Sequence, residues 1–373
     1  MGVILIILPT LPSYRIDFFN LLNEKLKKIN YKLIVISGSN ISNKKIIEIK
    51  DAVFELIKCK TSGYKIFGYN LQWQKSLIYN VKMCCPDKVI MLYNAGNINF
   101  NMLLLYLRYR KIKYILWGCG HVRDDLSKGK HKIKSFIKSF FVKNSAAYIT
   151  YGSDFKKSLI SDGYNKNKIF VAQNTLNVEG IFNNSFNKLD VRTYSPVKFL
   201  FVGALIRQKN LKKVLNACHI LKSNNKNFIF NIVGDGILKD ELINMSKELS
   251  LTDNVTFHSA KYGNELSHYF ISSNVFILPG DGGLALNEAM AYSLPVISTP
   301  ADGTPFDLIE ESKNGYMLPV NYSVEELAEK MSNFINADKN TLINMGNESL
   351  KIIKEKATLN NMVNKFMECI NHA

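Results

Sequence analysis

Phe276-Ile-Leu-Pro279-Gly280-Asp281-Gly282-Gly283-Leu284-Ala-Leu-Asn-Glu288-Ala-Met-Ala-Tyr-Ser-Leu-Pro295-Val-Ile-Ser-Thr299 runs from an apolar strand through a glycine loop and a helix into a second apolar strand. That order is a βαβ unit of a parallel sheet. In open α/β sheets, ligands lie beyond the C-terminal ends of strands, where backbone N–H groups and helix N-termini favour anions. Gly282 and Gly283 leave the amides of Gly283 and Leu284 available at such a helix start. Glu288 follows Leu284 by one helical turn, and its side chain leans back toward the N-terminal end. A lone acid on a helix is usually solvated. Here Ala289, Met290 and Ala291 mark a mostly buried helix, where an unpaired charge is costly. A carboxylate one turn from a bound phosphate is placed to accept the two hydroxyls of a ribose.

The same alternation extends upstream to residue 198. Lys198 to Val202, Phe228 to Val233, Val255 to His258 and Val275 to Leu278 read as strands, with helical spacing over Asn210 to Ser223 and Leu238 to Leu249. This is a doubly wound α/β domain, and three more of its strands end in turns of suitable composition. After the first come Gly203, Arg207 and Lys209, two cations able to neutralise a diphosphate, although surface loops often have this composition. After the second comes Gly234-Asp235-Gly236, where glycine permits close approach of a ligand or plain chain reversal. After the third come Ala260 and Lys261, whose backbone could read a base edge.

The first half repeats the pattern. Val3 to Leu8, an amphipathic stretch Tyr14 to Lys28 and Lys32 to Ser37 form a βαβ unit, and Lys88 to Leu92, Tyr114 to Trp117 and Ala147 to Thr150 continue a parallel sheet. Between Gly180 and Pro196 the periodicity lapses into Asn, Ser and Asp, which sets domains at 1–190 and 191–373. A helical segment Leu350 to Ile370 is placed to pack back on the N-terminal domain.

Length and composition agree with two such domains. The chain has 373 residues, 47% hydrophobic and 21% charged, which excludes disorder and small disulfide-built scaffolds. Six cysteines without paired metal spacing read as reduced thiols in a cytosolic compartment. No run of eighteen apolar residues exists, so no transmembrane helix is expected. The net charge of +17 sits entirely in residues 1–190, which hold 30 Lys/Arg against 12 Asp/Glu. Such a lopsided field suits an anionic surface or ligand, or else reflects a general use of lysine as surface residue. No helix-turn-helix, zinc or RNA-recognition pattern accompanies the charge, so no nucleic acid is expected as partner.

Taken in order, Gly203 to Lys209, Val-Gly-Asp-Gly at 233–236, Asp-Asn-Val-Thr-Phe at 253–257, and Glu-Ala-Met-Ala followed by Leu-Pro-Val-Ile over 288–297 resemble the nucleotide-sugar-binding domain of the family-4 retaining glycosyltransferases. The likeness covers about residues 198–335, and is of the bacterial surface-polysaccharide type. It implies the GT-B fold, two Rossmann-like domains facing a cleft. It also implies that Lys209 binds the diphosphate, that Gly283 and Leu284 bind phosphate through their backbone, and that Glu288 holds the ribose. Two positions depart from the family. Ala204 stands where an arginine usually follows the first glycine, with Arg207 as a substitute from within the loop. Gly280 stands where many members carry the first of two glutamates, which normally touches the donor sugar, and neighbouring Asp281 could reach the same hydroxyls.

The first half resembles the acceptor domain of that family more loosely. Tyr14 and Arg15 follow the first strand, and Gly118-Cys-Gly120-His121 follows a later one. Arg15 is either an acceptor-pyrophosphate ligand or a structural ion pair. His121 either hydrogen-bonds the donor sugar or acceptor hydroxyl or is an ordinary loop histidine. Residues 129–143 place Ile133, Phe136, Ile137, Phe140 and Phe141 at helical spacing among lysines, which is either a helix resting on an anionic leaflet or phenylalanines packed on the sheet.

The reaction implied is metal-independent sugar transfer with retention, with His121, Arg207, Lys209 and Glu288 as the catalytic set and no cofactor beyond a UDP- or GDP-linked donor. The acceptor would be a saccharide or a polyprenyl-pyrophosphate-linked saccharide at the cytoplasmic face of the membrane. The rivals are a sugar-nucleotide epimerase of the same fold and a nucleic-acid-binding module.

Overall fold

The computed structural model describes residues 1–39, 51–66, 69–93, 97–118, 139–185 and 192–373. The chain forms two compact units, Met1–Asn177 together with Leu359–Ala373, and Val178–Thr358. The sequence puts the division near 190. The units divide earlier because the helix Glu179–Ser185 packs with elements of the second unit.

In the first unit the chain runs through β1 (Gly2–Leu8), α1 (Ile16–Lys28), β2 (Tyr31–Gly38), β3 (Glu55–Cys59), a hairpin of β4 (Thr61–Ile66) and β5 (Tyr69–Gln74), α2 (Leu77–Cys84), β6 (Lys88–Leu92), α3 (Ile98–Tyr109), β7 (Lys113–Gly118), β8 (Ala147–Thr150), α4 (Ser153–Ser161) and β9 (Ile169–Val171). The sheet is parallel, in the order β3-β2-β1-β6-β7-β8-β9. Its strands are near-continuous apolar runs because helices cover both faces. Alternate residues of β1 show this directly. Ile4, Ile6 and Leu8 join a core with α1 and the C-terminal helix, whereas Leu5 and Ile7 join a core with α2 and α3. Trp117 is fully buried against Phe366 of that last helix, with ring centroids 5.0 Å apart.

The second unit runs through α5 (Glu179–Ser185), β10 (Val197–Val202), α6 (Leu211–Ser223), β11 (Phe228–Val233), α7 (Lys239–Glu248), β12 (Val255–His258), α8 (Gly263–Ser272), β13 (Val275–Leu278), α9 (Leu284–Ala291), β14 (Val296–Ser298), α10 (Pro305–Leu308), β15 (Gly315–Met317), α11 (Val324–Asn336) and α12 (Lys339–Lys356). Its parallel order is β12-β11-β10-β13-β14-β15. The winding reverses between β10 and β13, and the crevice at such a switch point is where doubly wound sheets take ligands.

The single helical segment expected over 350–370 is two helices. Chain leaving α12 breaks at Ala357 and Thr358, then α13 (Leu359–His372) packs on α1 and β8 of the first unit. The break lets Ile352 and Ile353 serve one core while Met362, Val363 and Phe366 serve the other. Of the basic segment 129–143, only 139–143 lie among the described residues, as a helical end with Phe141 buried and Phe140 39% exposed. No helix among the described residues is long and apolar enough to cross a membrane.

Candidate functional site at the switch point of the second unit

Three loops meet where β10, β11 and β13 end. The Gly203 amide donates to Val233 O at 3.1 Å and the Leu205 amide to Asp235 O at 3.0 Å. A Cβ on Gly234 would lie 1.9 Å from Gly203 O, and one on Gly236 would lie 2.4 Å from Leu205 O. These glycines are therefore required by chain packing on chain. Asp235 is likewise engaged within the fold. Its Oδ2 accepts the Ala260 amide at 2.7 Å and its Oδ1 accepts Lys239 Nζ at 2.6 Å, which together hold its carboxyl below the usual range. The Ala260 N–H is thus already paired, and Lys261 pairs with Glu265 at 3.1 Å.

The β13 loop closes on Lys209. The Asp281 amide donates to Gln208 O at 3.0 Å, Asn210 Nδ2 donates to Pro279 O at 3.1 Å, and Lys209 Nζ donates to Asp281 O. Burial pulls the Lys209 ammonium below its ordinary pKa, while the Asp281 and Asp302 carboxylates act in the opposite sense. A Cβ on Gly280 would fall 2.1 Å from Gln208 O. No side chain fits at residue 280 unless the Gln208–Lys209 backbone shifts. Arg207, two residues before Lys209, is exposed and makes no ion pair among the described residues.

Helix α9 starts beyond this loop with Gly283 as its N-cap and no capping side chain. Its far end is fixed by Arg192, whose guanidinium donates to the carbonyls of Tyr292, Ser293 and Ile271, cations at helix C-termini being favoured by the macrodipole. Gly283 is buried. What lies over it is the Asp302 carboxylate, with Oδ2 only 2.6 Å from where a Cβ of residue 283 would stand. Asp302 was not apparent from the sequence, although Pro300-Ala-Asp302-Gly-Thr304 follows β14 and so obeys the same rule of strand C-termini. Thr304 donates its amide to Asp302 Oδ1 at 3.1 Å.

Glu288 stands one turn into α9. Burial pushes its carboxyl up to about 7, and among the described residues that carboxyl has neither a hydrogen bond nor an ion pair. A half-buried carboxyl without a partner, one turn into a helix, is costly to ionise.

The structure therefore gathers Gly203, Arg207, Lys209, Gly280, Asp281, Gly282, Gly283, Leu284 and Glu288 around one switch point, with Gly234, Asp235 and Gly236 as its packed floor. Residues 187–352 match the family described as glycosyl transferases group 1. The matched residues lie within the second unit.

The chain is 31% identical over 156 residues to the putative colanic acid biosynthesis glycosyltransferase WcaL of Salmonella typhimurium, covering 39% of this chain and 38% of that one. It is 34% identical over 150 residues to the amylovoran biosynthesis glycosyltransferase AmsK of Erwinia amylovora, covering 38% of this chain and 37% of that one. These alignments span less than two-fifths of either relative. Over its whole length the chain resembles the crystal structure of Anabaena HepE in complex with UDP, with a TM-score of 0.74, 12% identity and complete coverage of both chains. The fold is thus the GT-B fold of those glycosyltransferases.

In the first unit, Tyr14 is 37% exposed and Arg15 only 3%. The Arg15 guanidinium donates to Asn174 Oδ1 at 2.7 Å and to Tyr151 Oη at 3.1 Å, and lies 4.6 Å from the centre of the Trp117 ring. These contacts tie the C-terminal ends of strands together, and among the described residues Arg15 has no carboxylate partner. His121 lies outside the described residues.

Proposed function

We propose that the chain is a glycosyltransferase of surface-polysaccharide assembly, which moves a sugar from a nucleotide-diphosphate donor to a saccharide or polyprenyl-pyrophosphate-linked saccharide, with retention and without a metal ion. The observation that carries this is the grouping of Lys209, the start of α9 and the unpartnered Glu288 at one switch point. The WcaL and AmsK relatives, named for colanic acid and amylovoran biosynthesis, and the UDP in HepE support the substrate class.

Transfer breaks the bond between the anomeric carbon and a diphosphate oxygen, so negative charge grows on the departing group while the sugar becomes oxocarbenium-like. Lys209 and the first amides of α9 meet that charge in a partly desolvated place, where fixed dipoles act most strongly. Arg207 swings onto it from the loop. Asp302 holds the phosphate position in the free protein and yields it to the donor. Glu288 accepts the ribose hydroxyls, the base lies by Ala260 and Lys261, and Asp281 faces the sugar. The acceptor hydroxyl, for which Tyr14, Arg15 and His121 are the candidate ligands, passes its proton to the departing diphosphate on the face from which that group leaves. The donor is UDP- or GDP-linked, and the enzyme works at the cytoplasmic face of an anionic membrane as a peripheral protein.

Calorimetric titration with UDP- and GDP-sugars tests the donor site. The Lys209→Ala, Glu288→Ala double variant is expected to lose binding, and unchanged affinity would remove the site.

A further inference from the structure

The outward side of α3 is as apolar as its inward side. Phe100, Leu103, Leu104 and Leu107 are fully buried, whereas Ile98, Met102, Leu105 and Tyr109 are 37, 46, 55 and 85% exposed. Steps of four, three and four residues set these four on one narrow stripe, opposite the buried one and about 16 Å long. A helix with two apolar faces needs two apolar neighbours, and the sheet supplies only one. Beside it, α2 packs on α3 and exposes Tyr79 and Met83, at 63 and 67%.

Cations flank the stripe on both sides. Lys82 Nζ lies 5.3 Å from the Tyr106 ring centre, and the Arg108 guanidinium lies 5.0 Å from that of Phe140. In the sequence, Asp87 is the one acid between Glu55 and Asp124, against 11 Lys/Arg. Asp87 is itself engaged by the Val3 amide at 2.7 Å.

At the C-terminal end of α3 a cavity of about 370 Å³ opens, walled by Arg108, Lys111, Lys113 and Lys168 with Asn144 and Ser145, and by no acid among the described residues. It sits where β7 and β8 begin, at the opposite edge of the sheet from the strand ends that carry Tyr14 and Gly118. The end of a helix carries about half a negative charge, which disfavours anions, but four cations outweigh it.

We propose that the outer face of α2 and α3 docks on an anionic phospholipid bilayer, with a phosphate-bearing headgroup received in the cavity bounded by Arg108, Lys111, Lys113 and Lys168. An apolar stripe between rows of a single sign of charge is the pattern of an interfacial helix, whose apolar side chains enter the acyl boundary while the cations stay at headgroup level. Tyr109 and Tyr79 are suited to that boundary, with an apolar ring and a polar tip. The proposal names a surface for the peripheral membrane reading above and rests on that reading. It does not depend on the donor site, which belongs to the other unit.

The test is co-sedimentation of the full chain with phosphatidylcholine vesicles, with and without one-third phosphatidylglycerol, at low and high salt. The wild type is expected to pellet with the anionic vesicles, and less so at high salt. The Leu105→Glu, Tyr109→Glu and the Lys111→Glu, Lys113→Glu double variants should each lower partitioning at least tenfold. All four positions are exposed, so melting temperature should be unchanged. Calorimetry with nucleotide sugars reads the donor site separately. The proposal is overturned if the wild type ignores anionic vesicles or binds neutral ones equally, or if both variants sediment as the wild type does. It is also overturned if the apolar variant turns a dimer into a monomer in light scattering while vesicle binding persists, since the face would then join two copies of the chain.

Discussion

Replacing Glu288 by Gln should stabilise the protein while damaging its donor site, and the size of the gain should depend on pH. The Glu288 carboxyl rises from an ordinary 4.5 to about 7 because burial disfavours its charge. Well below pH 4.5 the acid is protonated in folded and unfolded chains alike, and nothing is lost. Between 4.5 and about 7 the unfolded chain gives up the proton while the folded chain keeps it, so stability falls as pH rises. Above about 7 the loss is complete, and at about 1.4 kcal/mol per pKa unit it amounts to about 3 kcal/mol. Gln has no proton to lose. The stability gap between Glu288→Gln and wild type should therefore open from near zero in mild acid to about 3 kcal/mol in mild base, or roughly 6–12 °C for a unit of this size. Urea denaturation across that pH range, followed by the transition of the second unit, measures it. The same variant loses the charge-assisted bonds to the ribose, each worth roughly 1.5–3 kcal/mol, so donor affinity should drop at least tenfold. A gap that stays flat with pH would mean that Glu288 ionises as easily folded as unfolded, and the reasoning about its burial would fail.

Three further outcomes follow from the same geometry. Donor binding to the wild type needs the ionised Glu288, so affinity should rise about tenfold per pH unit below pH 7 and level off above it, whereas Glu288→Gln should show a flat profile in calorimetry. Restoring the family's acid by Gly280→Glu should destabilise rather than assist, as should Gly280→Ala, by roughly 2 kcal/mol or more, because any Cβ there stands 2.1 Å from Gln208 O; a fully stable variant in thermal melts would contradict this. Asp302→Asn should tighten UDP binding about fivefold, since removing a carboxylate beside the phosphate position lifts a repulsion of about 1 kcal/mol, and weaker binding would mean that Asp302 assists the ligand instead.

Much of the fold is legible because both sheets are parallel and buried. Lys88 to Leu92, Ala147 to Thr150, Phe228 to Val233, Val255 to His258 and Val275 to Leu278 read as strands from their apolar runs and are strands at the same residues. The hairpin of β4 and β5 escapes that signal, since Thr61–Ile66 and Tyr69–Gln74 mix Lys, Gln and Asn among the apolar residues, and β15 is only three residues long. The break at Ala357 and Thr358 is set by the need to serve two cores, which local periodicity does not encode. Around the candidate site, residue types are visible in sequence but their duties are not. Gly234 and Gly236 read as room for a ligand or as plain chain reversal, and the room they leave is taken by neighbouring backbone. Asp235 reads as a site residue, yet its carboxylate ties two strand ends together. Arg15 reads as either an acceptor-pyrophosphate ligand or a structural ion pair, and is buried against Trp117 with its guanidinium on Asn174 and Tyr151. Asp302 is brought to the start of α9 by the order of β13 and β14 in the sheet, a relation that exists only in three dimensions.

The most direct measurement is a crystal structure of the chain with UDP or a UDP-sugar bound. The diphosphate is expected on Lys209 Nζ and the Gly283 and Leu284 amides, both ribose hydroxyls on the Glu288 carboxylate, and Asp302 moved off Gly283. Nucleotide seated elsewhere, with Glu288 still lacking a polar partner and Asp302 still covering the start of α9, would contradict it.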